Sequence, residues 1–254
     1  MDPCIVGGGV SLIDLANKYD TPLIVYDLNL IEENYRSIKN TLNAKVLYSI
    51  KANPNLAILA LLRKLGSGAD AASPGEIYLA VKAGFKASDV LYTGAYLSNS
   101  DIKYGIDSGV IFNFDSVRAF ERAMALGYRP KLVFFRVDLG YGEGFAPGVT
   151  LAGEGSKFGM FLNDAVKAYR LAKSSGVEEF GIHAMMGSNV LNSDYFLKIA
   201  ELLKEQAEVI EGEVGIKISY LAWGGGSGFL NKPVGRPLAF INLRALKGFS
   251  LGDF

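Results

Sequence analysis

The sequence is poor in the residues that build cross-links and metal centres, with one cysteine, Cys4, and one histidine, His183, in 254 residues. A disulfide framework needs paired thiols and is excluded. A zinc site held by protein alone needs several nitrogen or sulfur ligands and is opposed on the same count. Charge imbalance is also absent. Twenty-six basic residues stand against 26 acidic ones, and no run of lysine or arginine marks a surface that would capture nucleic acid or membrane. No stretch reaches the roughly 18 apolar residues of a membrane span, and the opening MDPCIVGGG lacks the basic and apolar regions of a signal peptide. These absences give the expectation of a small-molecule partner, no metal, and a reducing, cytoplasmic setting. Cys4 has no partner base and receives no catalytic role.

What is present is apolar material arranged with a period. Half of the residues are hydrophobic, enough for one domain of barrel size. From Lys45 onward, short β-rich runs alternate with longer segments of helical period. The candidate strands are KVLYSI (45–50), GADAAS (68–73), DVLYTG (89–94), VIFNFD (110–115), KLVFFRVD (131–138), EFGIHA (179–184) and KISYLAW (217–223). Helical patterns fill residues 55–65, 74–85, 116–127, 163–176 and 193–212, several opening with Asn, Asp, Ser or Pro and closing near Gly. Ahead of them, TPLIVYD (21–27) and residues 29–42 read as one further strand and helix, and Gly7-Gly8-Gly9 reads as a flexible segment. Alternation of this kind predicts a parallel sheet with crossover helices. The first strand-to-helix turn, KANPN, has no G-x-G-x-x-G, which favours a (β/α)₈-type barrel over a dinucleotide-binding sheet.

In such a barrel the active site lies at the carboxyl ends of the strands. Standing there are Lys51, Asp70, Thr93, Asp115, Arg136 with Asp138, His183 and Gly224-Gly225-Gly226. A partly desolvated lysine can present a neutral amine to an aldehyde. A glycine run after the last strand offers unobstructed backbone N–H groups to a phosphate, Ser188 can add a hydroxyl, and Arg136 can pair with a carboxylate or phosphate. An amine and a phosphate cradle on one rim suggest pyridoxal phosphate. Plainer readings exist for each residue alone: a snorkelling lysine at Lys51, a tight turn at Gly224 to Gly226, an ion pair of Arg136 with Asp138 or Glu76, a core histidine at His183, and core filler at Met185 and Met186.

The stretches YSIKANPN, SGADAASPGEIYLAVKAGF, FRVD, EGSKFGM, GIHAMMGSN and GGGSG, taken in order, resemble the barrel of the fold-type III pyridoxal-phosphate decarboxylases, and most closely those acting on diaminopimelate. The resemblance runs from about residue 22 to about residue 230. It implies an alanine-racemase-like (β/α) barrel with the cofactor on Lys51 and with Asp70, Glu76, Arg136 and His183 lining the site. Ser188, Gly224, Gly225 and Gly226 would surround the phosphate. It further implies a carboxy-lyase that converts meso-diaminopimelate to lysine with loss of carbon dioxide. The family usually has a second histidine before its I-G-S stretch, and Met185 takes that place here, where a thioether can still pack against a ring.

The family's E-P-G-R-like motif, catalytic cysteine region and C-terminal β domain have no counterpart in this sequence. The expectation is therefore an N-terminal segment (1–20) and an incomplete barrel (21–254) truncated after about the seventh βα unit. The residues after Gly228 would supply the seventh helix, and two sheet edges would stay exposed. A homodimer mate or a second chain would complete it. The alternatives are a single-domain pyridoxal-phosphate carrier and an inactive regulatory paralogue.

Overall fold

The computed structural model describes residues 5–6, 9–42, 44–141, 157–190, 193–227 and 241–244. A short hairpin, β1 (Ile5–Val6) and β2 (Val10–Ser11), leads into α1 (Leu12–Tyr19) and α2 (Leu28–Thr41). Regular βα units follow: β3 (Lys45–Ser49), α3 (Leu56–Lys64), β4 (Gly68–Ala71), α4 (Pro74–Lys82), β5 (Val90–Tyr92), α5 (Asn99–Ser108), β6 (Ile111–Phe114) and α6 (Val117–Ala125). The series ends with β7 (Leu132–Val137), α7 (Leu162–Ser174), β8 (Glu179–Val190), α8 (Ser193–Val214), β9 (Ile218–Ser227) and β10 (Ile241–Arg244). Strands β3 to β9 are parallel neighbours in chain order.

Several helix starts are specified locally. Ser73 caps α4 by accepting from the Glu76 N–H, with Pro74 at the first helical position, where its missing N–H costs nothing. Ser98 and Asp101 form a reciprocal capping box at α5, and Gly109 ends that helix with φ 71°. Asn55 caps α3 through the Ala57 N–H.

Strand alternation then sorts the side chains into two sets. One set faces the helices, including Val46, Tyr48, Ala69, Val90, Phe112, Phe114, Val133, Phe135, Ile182 and Ala184, and forms the main core. Burial of each larger member is worth about 1.5–3 kcal/mol. The other set points into the barrel, where Leu47, Leu91, Phe134 and Ala222 pack with Ile111, Leu132 and Tyr220. That interior has no spare room: a Cβ on Gly181 would stand 2.3 Å from the Phe134 ring. One step further along the same faces the residues turn polar, and that upper layer is the site.

Two expectations are corrected. Residues 21–27 form no strand, because no sheet edge is available to them and Leu23, Ile24, Val25 and Tyr26 are exposed. The N-terminal segment contains the hairpin and α1, and Cys4, Gly7 and Gly8 lie outside the described residues. Helix α5 lies between the strands predicted at 89–94 and 110–115, where the βα alternation requires a crossover. Finally, the sheet closes. Strand β10 pairs antiparallel with β3, Ile241 opposite Tyr48 and Arg244 opposite Lys45, and with β9, Leu243 opposite Trp223. Seven parallel strands are thus joined by a short antiparallel one, and the edges of β3 and β9 are covered. Ile-Asn-Leu-Arg alternates at the strand period, which suits it to an edge better than to a helix.

Candidate functional site

Lys51 leaves the barrel two residues after the end of β3. Ile50–Ala52 make a single 3₁₀ turn, anchored where the Tyr48 hydroxyl donates to the Asn53 carbonyl at 3.3 Å. The lysine is exposed rather than half-buried, so it stands at the mouth of a cleft. Ser49, Asp70, Thr93, Arg136, His183, Met185 and Gly225 line the rest of that cleft with it, around roughly 430 Å³ of space that includes the open mouth.

Asp70 is 3 % exposed and accepts a hydroxyl on each oxygen, from Ser49 at 3.1 Å and from Thr93 at 2.7 Å. Asn113 donates from Nδ2 to the Thr93 hydroxyl oxygen at 3.3 Å. Burial pushes the Asp70 carboxyl above its ordinary range, while the Thr93 bond, the Lys51 charge, the Ser49 bond and the Arg136 charge act in the opposite sense. Arg136 projects from β7 among Asp115, Asp70 and Asp138, whose charges support the guanidinium against its own burial. His183, paired in register with Arg136 across β7 and β8, is 2 % exposed. Neither of its ring nitrogens has a hydrogen-bond partner among the described residues. Burial and, secondarily, the Arg136 and Lys51 charges hold its pKa well below the usual imidazole value, so the ring is neutral.

The sequence-predicted residues separate accordingly. Lys51, Asp70, Arg136, His183 and Gly225 share the cleft, as does Thr93 from the predicted rim. Glu76 sits behind it in the first turn of α4, where its Oε2 accepts from the Ala72 N–H at 2.8 Å. Its carboxyl is raised by burial, with the Ala72 bond opposing. The backbone register sets Met185 opposite Gly224 and Ser188 opposite Gly226, while the side chain of Ser188 lies outside what is described. Asp115 borders a separate outer groove between α6 and α7. Asp138 is buried and accepts from the Gly140 N–H at 2.9 Å. Ser49 and Asn113 were missed. Each is a polar residue at an inward position of an apolar strand, and Ser49 shares the face of Lys51 by simple alternation.

This donor set fits pyridoxal phosphate. An accessible primary amine meets an aldehyde, a buried imidazole offers two unused ring nitrogens to a ligand, Arg136 supplies a cation, and Gly225 brings bare backbone to the cleft wall. No cluster of metal-ligating side chains occurs among the described residues, and no helix among them is long and apolar enough to cross a membrane.

Comparison with known proteins points the same way. Residues 28–241 match the family model described as pyridoxal-dependent decarboxylase, pyridoxal binding domain. A diaminopimelate decarboxylase of Methanothermobacter thermautotrophicus is 37% identical over 236 residues, covering 91% of this chain and 55% of that protein. One of Thermoplasma acidophilum is 36% identical, covering 87% and 54%. The crystal structure of the M. jannaschii diaminopimelate decarboxylase in co-complex with L-lysine superposes with a TM-score of 0.75 at 30% identity, over 88% of this chain and 56% of that one. The chain thus spans about half the length of the curated relatives it matches. With the fold, the cleft and the family model in agreement, this chain belongs to the pyridoxal-dependent decarboxylases, through their pyridoxal-binding barrel domain.

Proposed function

We propose that this chain is the cofactor-binding portion of an amino-acid decarboxylase that converts meso-diaminopimelate to lysine and carbon dioxide. The observation that carries the reading is the convergence of Lys51, Asp70, Arg136 and His183 on one cleft at the carboxyl ends of the barrel strands. The sequence relatives named as diaminopimelate decarboxylases support the substrate, as does the lysine held by the M. jannaschii protein. When bound, pyridoxal phosphate supplies an aldehyde for amine exchange and a ring that takes up the electron pair left by departing carbon dioxide.

The chain's own residues have distinct tasks in this reading. Lys51 offers the amine at the cleft mouth, where a substrate amine can also arrive. Asp70 presents a carboxyl near that amine, oriented by its two hydroxyl donors. Arg136 holds an anionic group of the ligand, and neutral His183 can donate from one nitrogen and accept on the other. Met185 packs its thioether against the ligand's ring. Glu76 stiffens the wall behind Asp70, and Ser188 with Gly224 to Gly226 cradles the phosphate. Residues 21–254 form the cofactor domain, acting in the cytoplasm. Because Lys51 faces solvent, a second copy or second chain closes the mouth.

Addition of pyridoxal phosphate to the purified chain, borohydride reduction and peptide mapping test the first half of the proposal. The label is expected on the Lys51 peptide. A folded sample that takes no label removes the reading. Carbon dioxide release from diaminopimelate, compared with ornithine and arginine, then tests the substrate.

A further inference from the structure

Arg136 meets an aromatic ring. Its guanidinium carbon stands 4.9 Å from the centroid of Phe158, and among the described residues no ion pair includes this arginine. The ring is held there by its backbone. Immediately after it, the Met160 N–H donates to the Arg136 carbonyl and the Asp138 N–H donates to the Met160 carbonyl, both at 2.9 Å. This makes a parallel bridge between Met160 and Val137 at the end of β7. Gly159 permits the approach. It has φ 83°, and a Cβ there would stand 2.8 Å from the Val137 carbonyl carbon and 2.9 Å from the Asp138 nitrogen.

On the other side, the Tyr96 hydroxyl donates to the Lys157 carbonyl at 3.2 Å, and its ring lies 6.5 Å from that of Phe158. Tyr96 adopts φ 56°, a left-handed conformation costly for a residue with a side chain and typical of functional sites. Three fastenings therefore fix one ring against one cation.

We infer that Phe158 is a positioning residue for Arg136, holding the guanidinium toward the cleft without neutralising it, so that its charge stays available to an anionic group of the bound cofactor or substrate. A carboxylate in the same place would occupy the N–H donors that the ligand needs. An aromatic face attracts the cation through its quadrupole and leaves those donors free. Because the ring is clipped to the backbone of Arg136 itself, the two are held in register. The inference rests on reading the cleft as a pyridoxal-phosphate site.

The test is the dissociation constant for pyridoxal phosphate, followed by the absorbance change on binding, in wild type and in the Phe158→Leu, Phe158→Met, Phe158→Tyr and Gly159→Ala variants. Thermal melts establish that each is folded. Affinity is expected to fall about tenfold in the Leu and Met variants and in Gly159→Ala, and to stay within about twofold in Phe158→Tyr, which keeps the ring. In an Arg136→Gln background, removal of the ring should have no further effect, an outcome that a purely structural role would not give. Folded Leu or Met variants that bind like wild type overturn the inference, as does a Tyr variant that loses as much as they do. A wild-type chain that binds no pyridoxal phosphate overturns the proposed function itself, and this inference with it.

Discussion

The Thr93 hydroxyl donates to Oδ1 of Asp70 at 2.7 Å. The Asn113 amide donates to the Thr93 oxygen at 3.3 Å, an arrangement consistent with the hydroxyl proton lying on the carboxylate side. Asp70 is thereby made an acceptor, which favours its ionised form at a depth where burial alone favours the neutral one.

Thr93→Val keeps the shape and removes that donor. Asp70 should then take up a proton at a higher pH than in wild type, since the bond that Thr93 supplies lowers its pKa. Pyridoxal phosphate uptake by Lys51 is expected to lose its acid limb earlier as pH falls, with an affinity near neutral pH lower by about tenfold or less. Absorbance titrations across pH in both proteins measure this, and superimposable profiles would show that Asp70 needs no help from Thr93.

His183 gives an unusually clean readout because it is the only histidine in the sequence. Burial depresses its folded pKa well below the ordinary imidazole value of about 6.5, so the folded chain stays neutral there while the unfolded chain gains a proton. The sign follows: stability tied to this residue is complete above about pH 6.5 and declines as pH falls, by up to about 1.4 kcal/mol per pH unit. In an untagged protein the imidazole proton resonances should not titrate around pH 6.5. An ordinary titration curve would contradict the burial described.

Gly181→Ala should cost about 1–3 kcal/mol, because the new methyl group would stand 2.3 Å from the Phe134 ring in a barrel interior with no slack. Denaturant unfolding gives the number. A neutral effect would mean that β7 and β8 are less tightly engaged than their register implies.

Ile24 is 76 % exposed beside exposed Leu23, Val25 and Tyr26. Ile24→Lys should change stability by no more than about 0.5 kcal/mol and reduce self-association of the isolated chain. Light scattering before and after substitution tests the second expectation.

Much of this architecture was legible because fully buried parallel strands read as dense β-branched and aromatic runs, as in KVLYSI and KLVFFRVD. The same reasoning failed at TPLIVYD. Composition marks a segment as willing to be a strand, but only a free sheet edge makes it one. Helix α5 is weakly patterned because NSDIKYGIDS is polar and carries Gly105, and its punctuation, Ser98 with Asp101 and the closing Gly109, marks it better than its period does. The site divides along similar lines. Lys51 is announced by the turn-forming residues after it, and His183 by its rarity. Asn113 shows only as a polar residue inside an apolar strand and Phe158 only as part of the EGSKFGM stretch, since their contacts exist only once distant strands are brought side by side.

The alternation that sends Gly181, His183 and Met185 inward, and Phe180, Ile182 and Ala184 toward the helices, makes the site a matter of parity. Insertion of one residue early in β8 would turn His183 into the helix layer and deliver an isoleucine or alanine to the cleft, with the composition of the strand nearly unchanged. Lineages carrying this barrel should therefore accumulate substitutions within β8 while excluding odd-length insertions there, and length changes should collect in the loops between strand and helix.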